Sequence, residues 1–180
     1  ELLDLWSDRR LCPHFHIPLQ SGSPAVLRRM RRRYTPEQYL DAVDAVRRAV
    51  PDVAVTTDVI VGFPGETEAD FQATRSLCEA VGFAAVHVFP YSARPGTSAA
   101  HFHDTVNPAT RAMRLQELAS VARSSAAAFR RRFLGATRTV LWEARMEASG
   151  PAAWTGLTDN YLRVAVRNDG DLANRITSAT

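Results

Sequence analysis

The sequence contains no lysine, only two cysteines and no long hydrophobic run. Cys12 and Cys78 are far apart and form no CxxC or other metal-binding pattern, which excludes a disulfide scaffold and favours a cytoplasmic protein with buried thiols. No apolar run is long enough to cross a bilayer, so we expect no membrane segment. The chain begins with Glu1 rather than methionine, and we interpret it as a fragment of a longer protein.

Several catalytic motifs are also missing. The chain has no GxxxxGK[ST] loop and no GxGxxG fingerprint, which argues against a P-loop site and against a Rossmann dinucleotide site. No spacing indicates a Ser-His-Asp or Cys-His pair. The chain therefore resembles the ligand-binding part of a larger enzyme whose reactive centre lies elsewhere.

The positive charge is supplied by arginine alone and is unevenly spread. The 22 basic and 19 acidic residues give a net charge of +3. Between residues 111 and 145, eight arginines stand against Glu117 and Glu143, a local excess of +6. Such a patch favours a polyanionic partner, and a solvated helix face is the alternative.

Strand and helix patterns alternate over the first hundred residues. The strands are predicted at 11–20, 52–63 and 83–92. Capping residues Ser23, Thr35 and Thr67 open the intervening helices, and a long helix is predicted from Asn107 to Gly135. Strands separated by helices indicate parallel βαβ units, so the expected class is α/β.

The pattern changes from residue 136 onward. Short strand-like runs are separated there by Gly, Pro, Asn and Asp turns, which predicts a small all-β module. We expect two domains, over residues 1–134 and 135–180.

The three predicted parallel strands end in QSG, GFPGE and PYSARPG, which are small or polar. Parallel α/β proteins place ligands at these ends, so we expect a binding site there. Gln20 and Ser21 suit a ribose or amino-acid group, and Phe89 and Tyr91 suit a purine. Tight βα turns are the alternative explanation for the glycines, and helix capping explains Glu66.

Asp58 lies within a β-branched strand, where a carboxylate is costly unless it is paired. It forms an ion pair inside the sheet, for example with Arg94, or it contacts a ligand, and the sequence leaves both open. His14, His16 and His87 could meet across the same face. Without acidic or thiolate residues at ligand spacing, we expect no metal there.

Four motifs occur in a characteristic order and spacing: HIPLQSGS, LRRMRRRYT, DVIVGFPGETEADF and HVFPYSARPGT. On these motifs the sequence resembles the radical SAM methylthiotransferases, the MiaB-like enzymes, across essentially the whole chain. AVTTDVIVGFPGE, HVFPYSxRPGT and GLTDNYLRV are most similar to the MtaB branch, which modifies N6-threonylcarbamoyladenosine beside the tRNA anticodon. The branches that act on isopentenyladenosine and on a ribosomal protein fit less well.

The resemblance implies that residues 1–134 are the C-terminal half of a radical SAM partial (β/α) barrel. Residues 135–180 would be most of a TRAM domain, a small OB-like RNA-binding β-barrel. The chain lacks CxxxCxxC, so the ligands of both 4Fe-4S clusters would lie outside it, in the missing N-terminal half. The implied enzyme cleaves S-adenosylmethionine to a 5′-deoxyadenosyl radical, which takes hydrogen from C2 of the adenine before a methylated sulfur is inserted.

The resemblance and the strand ends together imply site residues. Seven would contact S-adenosylmethionine: Gln20, Ser21, Asp58, Ile60, Gly62, Phe89 and Tyr91. Six would contact tRNA: Arg28, Arg32, Arg130, Arg131, Trp154 and Tyr161. For Trp154 and Tyr161, filling the small core is an equal alternative to stacking on bases.

Three functions stay open. The first is a tRNA methylthiotransferase that acts on threonylcarbamoyladenosine or, alternatively, on isopentenyladenosine. The second is a non-catalytic RNA-binding fragment, and the third is a metabolic α/β-barrel enzyme with a catalytic base near Asp58. The first predicts an open half-barrel that is inactive alone and whose unpaired edge favours self-association.

Overall fold

A computed structural model describes residues 2–8, 10–146 and 153–180. These ranges contain a three-stranded parallel sheet with helices on one face and a four-stranded antiparallel sheet. The strands are β1 (His14–His16), β2 (Ala54–Val61), β3 (Ala85–Pro90), β4 (Arg138–Met146), β5 (Ala153–Thr158), β6 (Arg163–Arg167) and β7 (Ile176–Ala179). The helices are α1 (Pro24–Arg29), α2 (Pro36–Ala49), α3 (Glu68–Val81) and α4 (Pro108–Arg131), with short 3-10 helices at Leu3–Ser7 and Ser98–His101.

The strands of the parallel sheet lie in the order β1-β2-β3. Side chains alternate along β2, so Val59 is fully buried whereas Asp58 and Ile60 are partly exposed on the opposite face. The buried face packs against α2, α3 and α4 in a core that includes Phe71 and Leu118. The expected two-faced parallel strands are confirmed.

The helix boundaries follow the capping residues. Thr35 and Thr67 each form a capping box with the third helical residue, Gln38 and Asp70 respectively. Gly82 ends α3 at φ +63°, a left-handed conformation that glycine adopts without strain. These local signals therefore set where α2 and α3 begin and where α3 ends.

The first strand and the first thiol differ from expectation. β1 covers only His14–His16, although the Ile17 N–H still donates to the Thr56 carbonyl. Pro13, just before β1, lacks the N–H that would continue the ladder toward β2. Cys12 precedes the strand and is exposed, so the expectation of a buried thiol is wrong for Cys12 and right for Cys78.

α4 is the longest helix of the described ranges and crosses the parallel sheet. It ends at Arg131, before the expected Gly135, which lies in the turn that follows. Leu118 and Phe129 are its buried apolar residues, and Arg114 is buried with them. One face of α4 therefore carries a charge into the core.

The antiparallel sheet has the strand order β6-β5-β4-β7. Val140, Trp142 and Trp154 form its buried core. A change of register between Trp142 and Ala144 bends β4, as a β-bulge does. Gly156 faces this strand so closely that a Cβ would clash with the carbonyl of Leu141. The short-strand tail expected from sequence is thus a curved, four-stranded sheet.

The two sheets meet at the amino-terminal ends of the parallel strands. The Arg138 guanidinium donates to Asp52 Oδ2 at 2.8 Å and to Asp159 Oδ1 at 2.8 and 3.0 Å. The Tyr161 ring stacks on His14, with 4.2 Å between ring centroids. Within the described residues, no helix has both the length and the apolar character to cross a membrane.

Candidate functional site

The carboxyl ends of the three parallel strands border one open cavity of about 700 Å³. Five of the residues expected to bind the cofactor line it: Gln20, Asp58, Ile60, Phe89 and Tyr91. The remaining lining includes Arg32, Phe63, Ser92, Arg94 and Thr97. A cavity of this size is typical of small-molecule sites. The three strand ends thus face one hollow.

Backbone pairing beyond the named strands holds these ends side by side. The Gln20 N–H donates to the Asp58 carbonyl at 2.8 Å, and the Gln20 carbonyl accepts from the Ile60 N–H at 2.9 Å. Gln20 has φ +64°, so the chain turns sharply there. At β3, the Tyr91 N–H donates to the Val61 carbonyl at 2.9 Å.

A smaller cavity of about 280 Å³ adjoins the first. Both are lined by Gln20, Arg32, Ile60, Phe63, Thr97 and Ala99. The smaller one adds Arg29 and Arg31. Arg29 is held by an ion pair in which its Nη2 donates to both Asp104 carboxylate oxygens, at 2.7 and 2.8 Å. In the described ranges, Arg32 and Arg94 have no carboxylate within ion-pair distance, which leaves two cations to face the larger cavity.

Ser21 and Gly62 do not line the cavity, and their cofactor contacts stay predictions. The Ser21 side chain is fully buried, and its hydroxyl lies 3.1 Å from that of Thr74 on α3. Gly62 has φ +72°, its N–H donates to Glu66 Oε2 at 2.8 Å, and a Cβ would press on the Arg111 side chain. Both residues hold the turns that follow β1 and β2.

Asp58 lies between two histidines on the polar face of the sheet. Its Oδ2 is 3.2 Å from His16 Nε2, and its Oδ1 is 3.2 Å from His87 Nδ1. The ion pair with Arg94 suggested from sequence is therefore replaced by two imidazole contacts. Burial lowers the pKa of His14, the next histidine along β1, and the nearby His16 adds to that effect.

A buried ion pair was missed by the sequence reasoning. Arg114 Nη1 lies 2.7 Å from Glu66 Oε2, and both residues are at least 95% buried. Glu66 is therefore more than a helix cap, because its carboxylate also receives the Gly62 N–H. Burial raises the pKa of Glu66, whereas the Gly62 N–H and the Arg114 guanidinium act to lower it.

The sequence did contain a signal for this pair. Arg114 precedes Leu118 by four residues, so both lie on the same face of α4, and Leu118 is fully buried. An arginine on a core-facing stripe requires a carboxylate partner. Counting Arg114 only as part of a basic patch concealed that requirement.

The arginines expected to contact RNA form two groups at opposite ends of the parallel layer. Arg28 and Arg32 are exposed beside the cavities, and Arg130 and Arg131 are exposed at the end of α4. Arg111, near the start of α4, donates to the Tyr91 carbonyl at 3.2 Å. α4 has 24 residues and is about 36 Å long, so Arg130 and Arg131 at its end lie far from the cavities near its start.

The two aromatic residues of the tail have structural partners. Trp154 is buried in the small core, and its indole N–H donates to the Gly170 carbonyl at 3.0 Å. Tyr161 is half exposed and stacks on His14. For Trp154 the core alternative is favoured over stacking on a base. Tyr161 joins the two sheets and keeps one ring face away from solvent.

No metal site is formed by the residues that the structure describes. In those ranges, no group of three or more His, Cys, Asp or Glu side chains is placed to hold a metal ion. Cys12 lies in the segment before β1 and Cys78 lies on α3, and the two do not form the thiolate set of an iron–sulfur cluster. The cavity, by contrast, combines aromatic rings, amide and hydroxyl groups and arginines, which suits a nucleoside with polar substituents.

A family model described as the radical SAM superfamily matches residues 1–78. The chain is 47% identical over 134 residues to "Threonylcarbamoyladenosine tRNA methylthiotransferase MtaB" of Thermotoga maritima, covering 74% of this chain and 31% of that protein. It is 39% identical over 177 residues to the protein of the same name from Bacillus subtilis, covering 98% and 39%. The chain thus spans about a third of the length of these curated relatives.

The chain is also similar to curated proteins that carry a different name from the first two. The chain is 54% identical over 111 residues to "tRNA-2-methylthio-N(6)-dimethylallyladenosine synthase" of Parafrankia, covering 62% of this chain and 22% of that protein. Among solved structures, coproporphyrinogen III oxidase (HemN) of Escherichia coli, described as a radical SAM enzyme, is similar with a TM-score of 0.58 and 17% identity. That likeness covers 88% of this chain and 43% of the other, and it concerns the fold alone.

Proposed function

Because the chain belongs to the radical SAM methylthiotransferase family, we propose that it is the cofactor- and substrate-binding part of a tRNA-modifying enzyme. The proposed reaction methylthiolates C2 of N6-threonylcarbamoyladenosine next to the anticodon. The activity is proposed for the whole protein, since this chain spans about a third of its relatives' length. The chain alone is proposed to be inactive.

The observation that carries the proposal is the cavity at the strand ends. Gln20 offers an amide, and Phe89 and Tyr91 offer rings beside an adenine. Arg32 offers a cation to a carboxylate. When bound, S-adenosylmethionine and a 4Fe-4S cluster supply the radical chemistry, and the residues of this chain bind and orient the reactants. The described residues provide no cluster ligands, so none of their roles involves the cluster itself.

We propose that residues 1–134 form part of a radical SAM barrel and that residues 135–180 form a TRAM-like RNA-binding module. Arg130 and Arg131, at the junction, and Arg28, beside the cavity, would contact tRNA phosphates. Their separation along α4 would let one RNA be held at two places. Affinity would then fall steeply with salt, and the protein would act in the cytoplasm.

The choice of substrate rests on two observations. The match to a relative named for threonylcarbamoyladenosine extends over 98% of the chain. Beyond the residues assigned to the cofactor, the cavity lining also contains Ser92, Arg94 and Thr97, which suit a polar substituent on the substrate. Dimethylallyladenosine is the second candidate, because relatives named for it reach 54% identity over shorter stretches.

Deletion of the gene for the full-length protein tests this proposal. Mass spectrometry of tRNA nucleosides should show loss of 2-methylthio-threonylcarbamoyladenosine, and a plasmid copy of the gene should restore it. The dimethylallyl counterpart should be unchanged. Unchanged 2-methylthio-threonylcarbamoyladenosine would defeat the assignment, and selective loss of the dimethylallyl product would establish the second candidate.

A further inference from the structure

A directed hydrogen-bond network crosses the polar face of the parallel sheet. The Asp58 carboxylate can only accept, so His16 Nε2 and His87 Nδ1 must both carry hydrogen, at 3.2 Å from its two oxygens. In the neutral ring, His16 Nδ1 is then an acceptor, and it receives the Thr56 hydroxyl at 3.0 Å. That hydroxyl accepts in turn from His14 Nε2 at 3.2 Å.

In the neutral ring of His87, this network leaves Nε2 as an acceptor at its exposed end. With Nδ1 committed to Asp58, the second ring nitrogen of neutral His87 carries a lone pair and no hydrogen. The His87 side chain is 60% exposed. At the other end, the His14 ring is covered by Tyr161. His87 is therefore the member of the network that is open to a ligand.

His87 is not itself a lining residue of the larger cavity, but it contacts one that is. Asp58, its cross-strand neighbour, lines that cavity. Phe89, two residues further along β3, lies on the same face of the strand and also lines it. A ligand placed against Phe89 therefore extends over His87 and Asp58.

We propose that His87, oriented by Asp58, is a specificity-determining residue that recognises the polar N6 substituent of the target adenosine. This inference rests on the proposed function and deepens it. A threonylcarbamoyl group has N–H and hydroxyl donors for His87 Nε2, and its carboxylate suits the cationic Arg32 or Arg94. A dimethylallyl group has no polar atom to offer.

The network also disfavours the wrong substrate. An apolar substituent seated on this face would take water from Asp58 and His87 without replacing its hydrogen bonds. A site built around polar partners discriminates strongly against an analogue that lacks them, whereas an apolar pocket discriminates weakly. Selectivity then lies in the polar face of the sheet rather than in the aromatic wall, which any adenine can use.

The test compares full-length wild type with His87→Phe, which keeps a ring but removes both nitrogens. His103→Phe is the matched control, because His103 is also an exposed histidine that lines neither cavity but, unlike His87, it has no hydrogen bond to Asp58. Binding to anticodon stem-loop RNAs is measured by fluorescence anisotropy, with threonylcarbamoyl-, dimethylallyl- or unmodified adenosine at the target position. Methylthiolation of the first two RNAs is measured with the reconstituted enzyme.

Wild type should bind the threonylcarbamoyl RNA best. His87→Phe should weaken that binding about tenfold, and it should change the affinity for the unmodified RNA by less than about twofold. His87→Gln, which restores an acceptor, should recover part of the loss.

Equal binding of all three RNAs by wild type and His87→Phe, or an equal loss on all three, would overturn the inference. If wild type methylthiolates neither RNA, the proposed function fails. A wild type active on threonylcarbamoyl RNA whose selectivity survives His87→Phe refutes only the role of His87.

Discussion

The parallel layer and the antiparallel tail are stabilised in different ways. The parallel layer packs three helices onto one face of its sheet, and its core extends through all of these elements. Among its described residues, the tail buries Val140, Trp142 and Trp154 as its large apolar side chains. A site that depends on the exact placement of strand ends lies in the region with the deep core, where close packing restricts movement. The tail is better suited to binding that tolerates adjustment.

Their ion pairs show the same contrast. In the parallel layer, Glu66 and Arg114 are buried together beneath the turn that follows β2. At the junction with the tail, Arg138 pairs with Asp52, whose side chain is half exposed. A buried pair is costly to break because the remaining charge has no solvent, whereas an exposed charge is hydrated at once.

The largest expected effect follows from breaking the buried pair. Glu66→Gln leaves the buried Arg114 guanidinium with one remaining carboxylate, the exposed Glu68, whose Oε2 is 3.1 Å from Arg114 Nη2. We expect a loss of about 3 kcal/mol in the free energy of unfolding, at the lower end of the range for breaking a buried pair. The matched change at the junction, Asp52→Asn, should cost less than about 1 kcal/mol. Urea unfolding of both variants measures the difference.

A double variant sharpens this prediction. Glu66→Gln combined with Arg114→Met removes the buried charge and should recover much of the loss. If Glu66→Gln and Asp52→Asn proved equally mild, the contrast between a buried pair and an exposed pair would be mistaken. The turn after β2 would then be held mainly by the backbone.

A matched truncation in each sheet compares the two cores directly. Val59 in β2 and Val140 in β4 are both at least 99% buried. Val→Ala removes two carbons, about 1.6 kcal/mol of transfer free energy, to which a cavity term is added where neighbours do not relax. We expect about 2–3 kcal/mol for Val59→Ala and about 1.5 kcal/mol for Val140→Ala, because the thin tail can close over the gap. Equal losses in urea unfolding would show that the tail is packed as rigidly as the parallel layer.

Much of the fold could be predicted because its signals are local. Capping residues such as Thr35 and Thr67 set where helices begin. The alternation of side chains along β2 placed Val59 and Asp58 on opposite faces of the sheet. The rule that ligands lie at the carboxyl ends of parallel strands placed Gln20 and its partners at one cavity. Each of these inferences needed only neighbours within a few residues, or one general rule of topology.

The failures concern partners that are distant in sequence. Asp58 could be recognised as needing a partner, but its choice of His16 and His87 over Arg94 depends on cross-strand register. The direction of the Ser21 side chain was also beyond the sequence: its hydroxyl lies beside that of Thr74, directly after the left-handed backbone conformation of Gln20. Motif position indicates which turn carries a residue, and the backbone conformation within that turn decides where the side chain points.

The smallest expected effect concerns the contact between the two regions. Burial lowers the pKa of His14 below its ordinary value of 6.5, so the folded protein binds this proton less readily than the unfolded chain does. Stability from neutral His14 is therefore complete above that value and is lost as the pH falls through the lower, folded pKa. His14→Phe keeps a ring against Tyr161 and removes the titration. As the pH is lowered from about 7.5 to about 5.5, the free energy of unfolding of the variant should rise relative to that of wild type, as measured by urea unfolding. A difference that stays constant with pH would mean that the junction does not sense this proton, and that the tail is held there by Arg138 and its carboxylates alone.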